Sequence, residues 1–286
     1  MASIHSWVAH LIPRIDFGVQ ALFRRQRTCP YCAGGDHTIV ARKNGVIRIR
    51  RCQDCFLYFT DPIYRSHLGD FYDSLYHAEG LTTTLPDART LRELRASNFA
   101  HTGKDAAAPI EALTRLTPGR ALLEIGSSWG YFLYQARASG FAAVGIEPGR
   151  TRREFGVHEL GVDIRESINS VGDARFDIIY CAHTLEHIAD VGPFFSDCHR
   201  HLREGGLLVV EVPHFDLEAL GNGVLSIIGA VHPLGLSQPF FKQVLPREGF
   251  QLLGLYDRWD SVPSSPMAGC LEGVLIVVAA KRSQPR

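Results

Sequence analysis

Two Cys-x-x-Cys pairs near the beginning of the chain have the residue types and the spacing of a metal site. The first pair is Cys29 and Cys32, and the second is Cys52 and Cys55. Four thiolates on two such turns can surround one tetrahedral Zn²⁺ ion. Because all four ligands are sulfur and no position remains for water, we predict a structural zinc in a small ribbon over residues 28–60. A pair of disulfides is the alternative interpretation.

Four histidines at or after the ends of predicted strands could take a proton from a substrate. His183 and His187 follow a buried apolar strand, and His214 and His232 come after the next one. Ligands of open α/β sheets bind outside the carboxyl ends of the strands, and histidine is the side chain whose ordinary pKa lies near neutral pH. We therefore predict that a general base is among these four residues, and the sequence does not decide which.

The order His183-x-x-Glu186-His187 also matches an inverted zinc-protease motif. That motif requires a continuous helix, whereas here a predicted strand runs straight into these residues. We therefore do not predict proteolysis.

A turn with two glycines joins a predicted strand, Ala121–Ile125, to a predicted helix, Tyr131–Ser139. The turn carries Gly126, Ser128 and Gly130, so its backbone amides can approach a ligand closely at the start of a helix. The sequence therefore predicts a loop that binds a cofactor.

An acidic residue ends the next predicted strand, Ala142–Ile146. This residue, Glu147, lies about 20 residues beyond the loop, where a carboxylate can accept both hydroxyls of a ribose. The glycine spacing of a dinucleotide-binding loop is not met, because the third position is Ser128 and the sixth is Tyr131. A cofactor with a ribose, but not a dinucleotide, is therefore indicated.

The stretch Glu124-Ile-Gly126-Ser-Ser128-Trp-Gly130 resembles motif I of the class I methyltransferases that use S-adenosylmethionine (SAM), with Ser128 in place of the middle glycine. Together with the cysteine ribbon and the segment 176–188, it resembles the zinc-ribbon methyltransferases of the sugar C-methyltransferase and small-metabolite group. The resemblance implies an α/β fold, a Rossmann-like doubly wound sheet of seven strands, and SAM as cofactor. It implies cofactor contacts from Glu124, Gly126, Ser128, Gly130, Glu147, Glu166 and Ala182.

The charges of the chain are balanced overall and uneven locally. The 30 basic and 30 acidic side chains cancel, which argues against an obligate nucleic-acid-binding protein. Residues 22–55, however, carry eight basic and two acidic side chains, a local charge of +6. This basic ribbon, which includes Arg48 and Arg51, either contacts the diphosphate of a substrate or is a solvated surface.

The remaining segments are assigned by composition. Residues 1–27 are predicted to form an amphipathic segment, either packed on the protein or held at a membrane surface. They lack the features of a secretory signal, and no run of 18 or more apolar residues occurs, so we expect a cytoplasmic protein without a membrane span. Residues 61–108 are predicted to be a helical connector that lies over the cofactor cleft. Its Tyr72 and Tyr76 are candidates for lining that cleft.

The catalytic domain is predicted to occupy residues 109–286. Within it, the glycine-rich apolar stretch 213–239 is either a substrate lid or an additional core helix.

Three functions are compatible with these patterns. The first is a SAM-dependent methyltransferase acting on a small molecule, either phosphate-bearing, such as a nucleotide-linked sugar, or a saccharide or natural-product intermediate. The second is an RNA or protein methyltransferase that docks its substrate on the ribbon, and the third is a SAM-binding protein without catalysis. Whether carbon, oxygen or nitrogen is methylated, and how many copies assemble, cannot be predicted.

Overall fold

The chain contains two β-sheets, which the computed structural model describes through residues 25–45, 47–63, 84–267, 269 and 273–282. In chain order the strands are β1 (His37–Lys43), β2 (Ile47–Cys52), β3 (Tyr58–Asp61), β4 (Ala121–Ile125), β5 (Ala142–Ile146), β6 (Asp163–Arg165), β7 (Phe176–Ala182), β8 (Leu202–Pro213), β9 (Leu234–Gly235), β10 (Phe250–Tyr256) and β11 (Val274–Lys281).

The helices are α1 (Ala88–Ala96), α2 (Ala107–Leu116), α3 (Tyr131–Ala138), α4 (Arg150–Phe155), α5 (Gly192–His201), α6 (Leu217–Leu220) and α7 (Gln238–Arg247). A π-turn, Gly156–Leu160, extends α4. Short 3₁₀ turns cover Ile168–Val171, Leu185–His187, Gly221–Ser226 and Trp259–Ser261.

The larger sheet has seven strands in the order β10-β11-β8-β7-β4-β5-β6. The strands from β8 to β6 pair in parallel, and β11 is antiparallel to both of its neighbours. The prediction of a mostly parallel, seven-stranded α/β sheet is therefore confirmed. The carboxyl ends of β6, β5, β4, β7 and β8 lie along one edge, where the candidate site is built.

Both faces of this sheet are buried, which explains why its strands are almost continuously apolar. Successive residues alternate between two apolar clusters: Leu122 and Ile178 belong to one, and Leu123 and Ile179 to the other. The first cluster is completed by side chains of α2 and α3, and the second by α5, α7 and the ribbon. The helices therefore cover the sheet from opposite sides, as expected for a doubly wound fold.

The smaller sheet is antiparallel and has the order β1-β2-β3-β9. Its first three strands belong to the cysteine ribbon, and the turn between β1 and β2 has positive φ angles at Asn44 (50°) and Gly45 (72°), as a tight hairpin turn requires. The fourth strand, β9, comes from the stretch after β8. Thr60 donates its N–H to Pro233 O at 2.9 Å, so the ribbon is closed by a strand of the catalytic domain.

Left-handed residues limit two elements in the ribbon and the connector. In the predicted helical connector, α1 ends at Ala96, because Asn98, Phe99 and His101 take left-handed conformations with φ of 48°, 65° and 60°. In the ribbon, β3 begins at Tyr58, since Phe56 has a φ of 64°.

Other predictions concern residues that the structure does not describe. The N-terminal amphipathic segment lies almost wholly in residues 1–24, and Tyr72 and Tyr76 lie in residues 64–83. Among the described residues, no helix combines the length and the apolar character needed to cross a bilayer.

Candidate functional site

The glycine turn has the backbone geometry of a close-approach loop. Gly126 and Gly130 both have a φ of 81°, and a Cβ atom on Gly126 would lie 2.0 Å from Oγ1 of Thr184. Ser128, between them, has a φ of 51°, so it takes the left-handed conformation that glycine usually supplies. The loop therefore keeps the shape of a three-glycine turn although one glycine is replaced by serine.

Glu147 ties this loop to the end of β5. Its Oε2 accepts the N–H of Ser128 at 3.0 Å, and its Oε1 accepts the N–H of Gly149 at 2.8 Å. The carboxyl is almost fully buried, and burial is the main cause of its raised pKa. Glu147 thus stands beside the loop, in the position predicted for a ribose acceptor.

Glu124, at the end of β4, is also buried. Burial, and to a lesser extent the neighbouring Glu147, raises its pKa well above the ordinary value. Its Oε2 has no hydrogen-bond partner among the described residues. A cationic group of a bound ligand would satisfy this oxygen, because an unpaired carboxyl oxygen is costly to bury.

Further buried polar atoms lie in the same turn. In the described part of the chain, hydrogen-bond partners are lacking for the hydroxyls of Ser127 and Ser128 and the indole N–H of Trp129. The Trp129 ring contacts those of Phe99 and Tyr131, with centroid distances of 5.9 and 5.2 Å. The described end of the connector therefore packs directly on the loop. The two serine hydroxyls and the indole N–H are hydrogen-bonding groups that fit a polar cofactor.

Two other predicted cofactor residues lie on the same edge of the sheet. Glu166 follows β6 and is exposed, whereas Ala182 ends β7 and is half-buried. The sheet order is β7-β4-β5-β6, so the residues predicted to contact the cofactor lie at the ends of four adjacent strands.

His183, which directly follows β7, lies between two carboxylates. Its Nδ1 is 3.8 Å from Oε1 of Glu186, and its Nε2 is 3.6 Å from Oε1 of Glu211. These two carboxylates raise the pKa of His183 to about 10. Its ring therefore carries a proton at neutral pH and is not available to accept another.

Glu211 is a site residue that the sequence analysis missed. It lies near the end of β8, where its Oε2 accepts the hydroxyl of Tyr180 at 3.3 Å and the indole N–H of Trp259 at 3.1 Å. The signal was an acidic residue inside the apolar run Leu207–Val212, where a charged side chain is unusual.

His187 and His232 form a contacting pair. Their ring centroids are 4.5 Å apart, with an interplanar angle of 78°. Nδ1 of His187 donates to Val231 O, and Nδ1 of His232 donates to Ile227 O, each at 2.9 Å. These two hydrogen bonds define the tautomers and leave the lone pair of each neutral ring on Nε2.

The environment of His187 favours its neutral form. Burial is the main cause that lowers the pKa of His187 to about 4. Ligand atoms of Glu186, His187 and His232 all lie within 4.8 Å of one another, so this group is also compact enough to approach a cation.

His214 occupies a different environment. It is fully buried, its backbone N–H donates to Gly273 O at 2.9 Å, and a β-bridge pairs it with Leu236. The structure thus brings His183, His187 and His232 together around Glu186 and places His214 at the junction of the two sheets.

The four ribbon cysteines form one cluster. Their Sγ atoms lie within 4.8 Å of one another, with 3.5 Å between Cys29 and Cys55 and 3.5 Å between Cys32 and Cys52. These separations are too long for disulfides and close to the roughly 3.8 Å between sulfurs bound to one tetrahedral zinc. The residues present therefore fit a structural zinc ion.

Three arginines of the basic ribbon have acidic partners within the protein. Arg48 and Arg50 contact Oδ2 of Asp61 at 3.4 and 2.8 Å, and Arg51 contacts Oε2 of Glu218 at 3.1 Å. Asp61 is buried, so its two pairs belong to the interior of the ribbon rather than to a free basic surface.

The family comparison matches this region. A family model described as a methyltransferase domain matches residues 96–253, more than half of the chain. Among curated proteins, a ubiquinone biosynthesis O-methyltransferase of Chelativorans sp. is 33% identical over 154 residues, which are 50% of this chain and 57% of that protein. One of Mesorhizobium japonicum is 32% identical over 180 residues, 57% of this chain and 68% of that protein. The chain thus spans little more than half the length of the first of these relatives.

Two solved structures have a similar fold. A TehB-like SAM-dependent methyltransferase from Corynebacterium glutamicum has a TM-score of 0.50 and 20% identity, covering 68% of this chain and 96% of its own. A SAM-dependent methyltransferase from Clostridium acetobutylicum has a TM-score of 0.50 and 9% identity, with 68% and 98% covered. At these identities the likeness concerns the fold alone.

Proposed function

Because the chain belongs to the SAM-dependent methyltransferases, we propose that it transfers the methyl group of SAM to a hydroxyl of a small-molecule acceptor, with the His187–His232 pair taking the proton. The observation that carries this proposal is the contact between two rings whose tautomers both leave a lone pair on Nε2. The bond from sulfur to the methyl carbon breaks, the bond from oxygen to that carbon forms, and the hydroxyl proton goes to the imidazole pair.

The cofactor half of the cleft, residues 124–149, is proposed to bind SAM. The amides of Gly126, Ser127, Ser128 and Gly130 donate within the protein, so the turn offers SAM a close approach to its backbone rather than free donors. Glu147 accepts the ribose hydroxyls. Glu124, whose Oε2 lacks a partner among the described residues, accepts the ammonium group of the methionine part. SAM supplies an electrophilic methyl group, so the protein needs mainly to align the acceptor and exclude water.

The acceptor half consists of His183, Glu186, His187, Glu211 and His232. His183, with its pKa of about 10, stays protonated and is proposed to orient the two carboxylates beside it rather than act as the base. His187 is the neutral member of the group, with a pKa of about 4. Since such a ring alone is a weak base, we assign proton acceptance to the contacting pair and not to one histidine.

A hydroxyl acceptor is proposed on two grounds. The curated relatives carry the name of O-methyltransferases, and a hydroxyl must lose a proton on methylation, which the histidine pair can accept. The internal pairing of Arg48, Arg50 and Arg51 gives no support to a diphosphate held by the ribbon. Nucleotide-linked sugars, RNA and protein therefore enter the test as alternative acceptors.

The first experiment uses methyl-labelled SAM and a cell extract separated into metabolite, RNA and protein fractions. Label in the metabolites is expected, and purified phenols, sugars and nucleotide-linked sugars then identify the class. Label confined to RNA or protein would overturn the small-molecule proposal.

The second experiment tests the base. His187→Gln and His232→Gln should each reduce turnover by a factor of about 10² to 10⁴ while SAM affinity stays unchanged. His158→Gln is the matched control, because His158 is an exposed histidine on the π-turn after α4. Full turnover in both test variants would exclude the pair as base. If a chelator abolishes turnover without releasing zinc from the ribbon, Glu186, His187 and His232 hold a cation instead.

A further inference from the structure

Lys43, the last residue of β1, reaches from the ribbon to the segment that carries His232. Its Nζ donates to three backbone carbonyls, those of Leu225 (2.8 Å), Ser226 (3.3 Å) and Ile228 (2.7 Å). An ammonium group has three N–H donors, so all three can be used in this one contact. The carbonyls belong to the end of the Gly221–Ser226 turn and the residues just after it, where a helical turn leaves its carbonyls without internal partners.

The carbonyl that Lys43 does not bind is the one that orients His232. Ile227 O, between the bound carbonyls of Ser226 and Ile228, accepts the Nδ1–H of His232 at 2.9 Å. The N–H of Gly229 also donates to His232 O at 2.9 Å. Because Lys43 holds the peptides on both sides of Ile227, it determines the direction in which the Ile227 carbonyl points.

The same loop also orients the second ring of the pair. Val231 O accepts the Nδ1–H of His187 at 2.9 Å, and Val231 directly precedes His232. A displacement of the loop would therefore change both tautomer-defining hydrogen bonds together.

The ribbon contacts this loop in two further places. Strand β3 pairs with β9, Leu234–Gly235, which begins two residues after His232. Ile49 and Tyr58 of the ribbon also share a fully buried apolar cluster with Val224 and Ile228 of the loop. Lys43 is thus the polar part of a continuous interface between the ribbon and the loop.

We infer that Lys43 is a positioning residue of the acceptor half: it fixes residues 225–228 so that the Ile227 carbonyl orients His232 against His187. This inference rests on the proposed role of the pair in taking the proton, but the position of the loop can be measured without any acceptor. Lys43 itself does not contact the reacting atoms, and it acts through the loop.

The test compares Lys43→Met, which keeps a long apolar stem, with Lys43→Arg, whose guanidinium can again donate to several carbonyls. Arg42→Met is the matched control, since Arg42 is the neighbouring exposed cation of the same strand. All variants are made in the full-length, zinc-loaded protein. Amide exchange at Gly229 and the ring NMR signals of His187 and His232, assigned with the two glutamine variants, are recorded.

Lys43→Met should speed Gly229 exchange about tenfold, which corresponds to the loss of about one charge-assisted hydrogen bond. It should also shift the ring signals of His232 and His187, lower kcat, and leave SAM affinity and zinc content unchanged. Lys43→Arg should restore most of the protection, and Arg42→Met should change nothing. Unchanged exchange and ring signals in Lys43→Met, or equal changes in Arg42→Met, would overturn the inference.

The two proposals fail in different ways. If the glutamine variants of the histidines retain turnover, the base assignment is wrong, while the exchange data still decide whether Lys43 positions the loop. If Lys43→Met leaves the loop and the rings in place but the glutamine variants are inactive, the base assignment stands and the role of Lys43 is wrong.

Discussion

The proposed cofactor half of the site comes from one stretch of chain, residues 124–149. The proposed acceptor half combines residues from distant segments, and Lys43 of the ribbon contacts one of them. In the cofactor half, Glu147 binds the amide of Ser128, so the loop and the strand that follows support each other locally. In the acceptor half, His187 and His232 come from loops that follow different strands. Their Nδ1 hydrogen bonds go to carbonyls of the loop that Lys43 of the ribbon contacts. The cofactor half should therefore survive damage to the ribbon, and the acceptor half should not.

The substitution Gly126→Ala, which should disrupt the cofactor half, is expected to have the largest effect. The new Cβ would lie 2.0 Å from Oγ1 of Thr184 on a residue with a φ of 81°. We expect loss of SAM binding and destabilisation by about 1 to 3 kcal/mol beyond the backbone cost. SAM titration and thermal melting measure both.

Gly140→Ala separates the backbone cost of a left-handed residue from the cost of the contact with Thr184. Gly140 has a φ of 89° but no described heavy atom within 4 Å of its Cβ position. This variant should show only the backbone cost of about 1 to 2 kcal/mol and bind SAM normally. Equal behaviour of the two variants would mean that the contact with Thr184 is unimportant.

Removal of zinc tests the acceptor half. The four ribbon cysteines are proposed to hold a structural zinc, and if that ion holds the ribbon together, a strong chelator should unfold the ribbon and release β9. Turnover should then be lost while SAM affinity changes less than about twofold, as measured by metal content, melting and SAM titration. A metal-free protein with normal turnover would show that the acceptor half does not depend on the ribbon.

Glu124→Gln should sharpen the description of the cofactor half. Because burial raises the pKa of Glu124, the folded state favours the protonated carboxyl, and its ionisation lowers stability as pH rises above the ordinary pKa. A neutral glutamine should therefore raise Tm of the SAM-free protein at neutral pH and weaken SAM binding about tenfold or more. If SAM binding is unchanged, Glu124 does not contact the ammonium group.

The smallest effect is expected from the pH dependence of stability caused by His183, because its side chain is 53% exposed and solvent screens its attraction to the two carboxylates. Its folded pKa is raised from 6.5 to about 10, so its stabilising contribution is complete below pH 6.5 and is lost as pH rises towards 10. Glu211→Gln removes one of the two carboxylates and should flatten this fall in Tm. Glu159→Gln, which alters an exposed glutamate, should leave the profile unchanged.

The sequence predicted the cofactor half more closely than the acceptor half. The strands Ala121–Ile125 and Ala142–Ile146 were predicted with the bounds that the structure has. A glycine turn followed by an acid at the end of the next strand is a local pattern, so it can be recognised without knowing how distant segments pack. The assignment of single residues to SAM or to zinc stays a prediction.

The acceptor half could not be predicted in the same way. Glu211 was missed, and four histidines could not be distinguished, because what separates them is their surroundings: two carboxylates beside His183, a second imidazole beside His187, and full burial of His214. The pairing of Arg48 and Arg50 with Asp61, and of Arg51 with Glu218, could not be predicted either, because it depends on how distant segments pack.

The sequence by itself determined the alternation of strands and helices, the glycine turn after β4 and the spacing of the four cysteines. These features depend on apolar periodicity, turn residues and spacing, which are properties of neighbouring residues. Only the tertiary structure decided which histidines contact each other and which carboxylates raise the pKa of His183. It also decided that Lys43 donates hydrogen bonds to the loop that carries His232. Each of those contacts joins groups whose distance is set by the packing of the whole fold, and pKa values and tautomers follow from that distance.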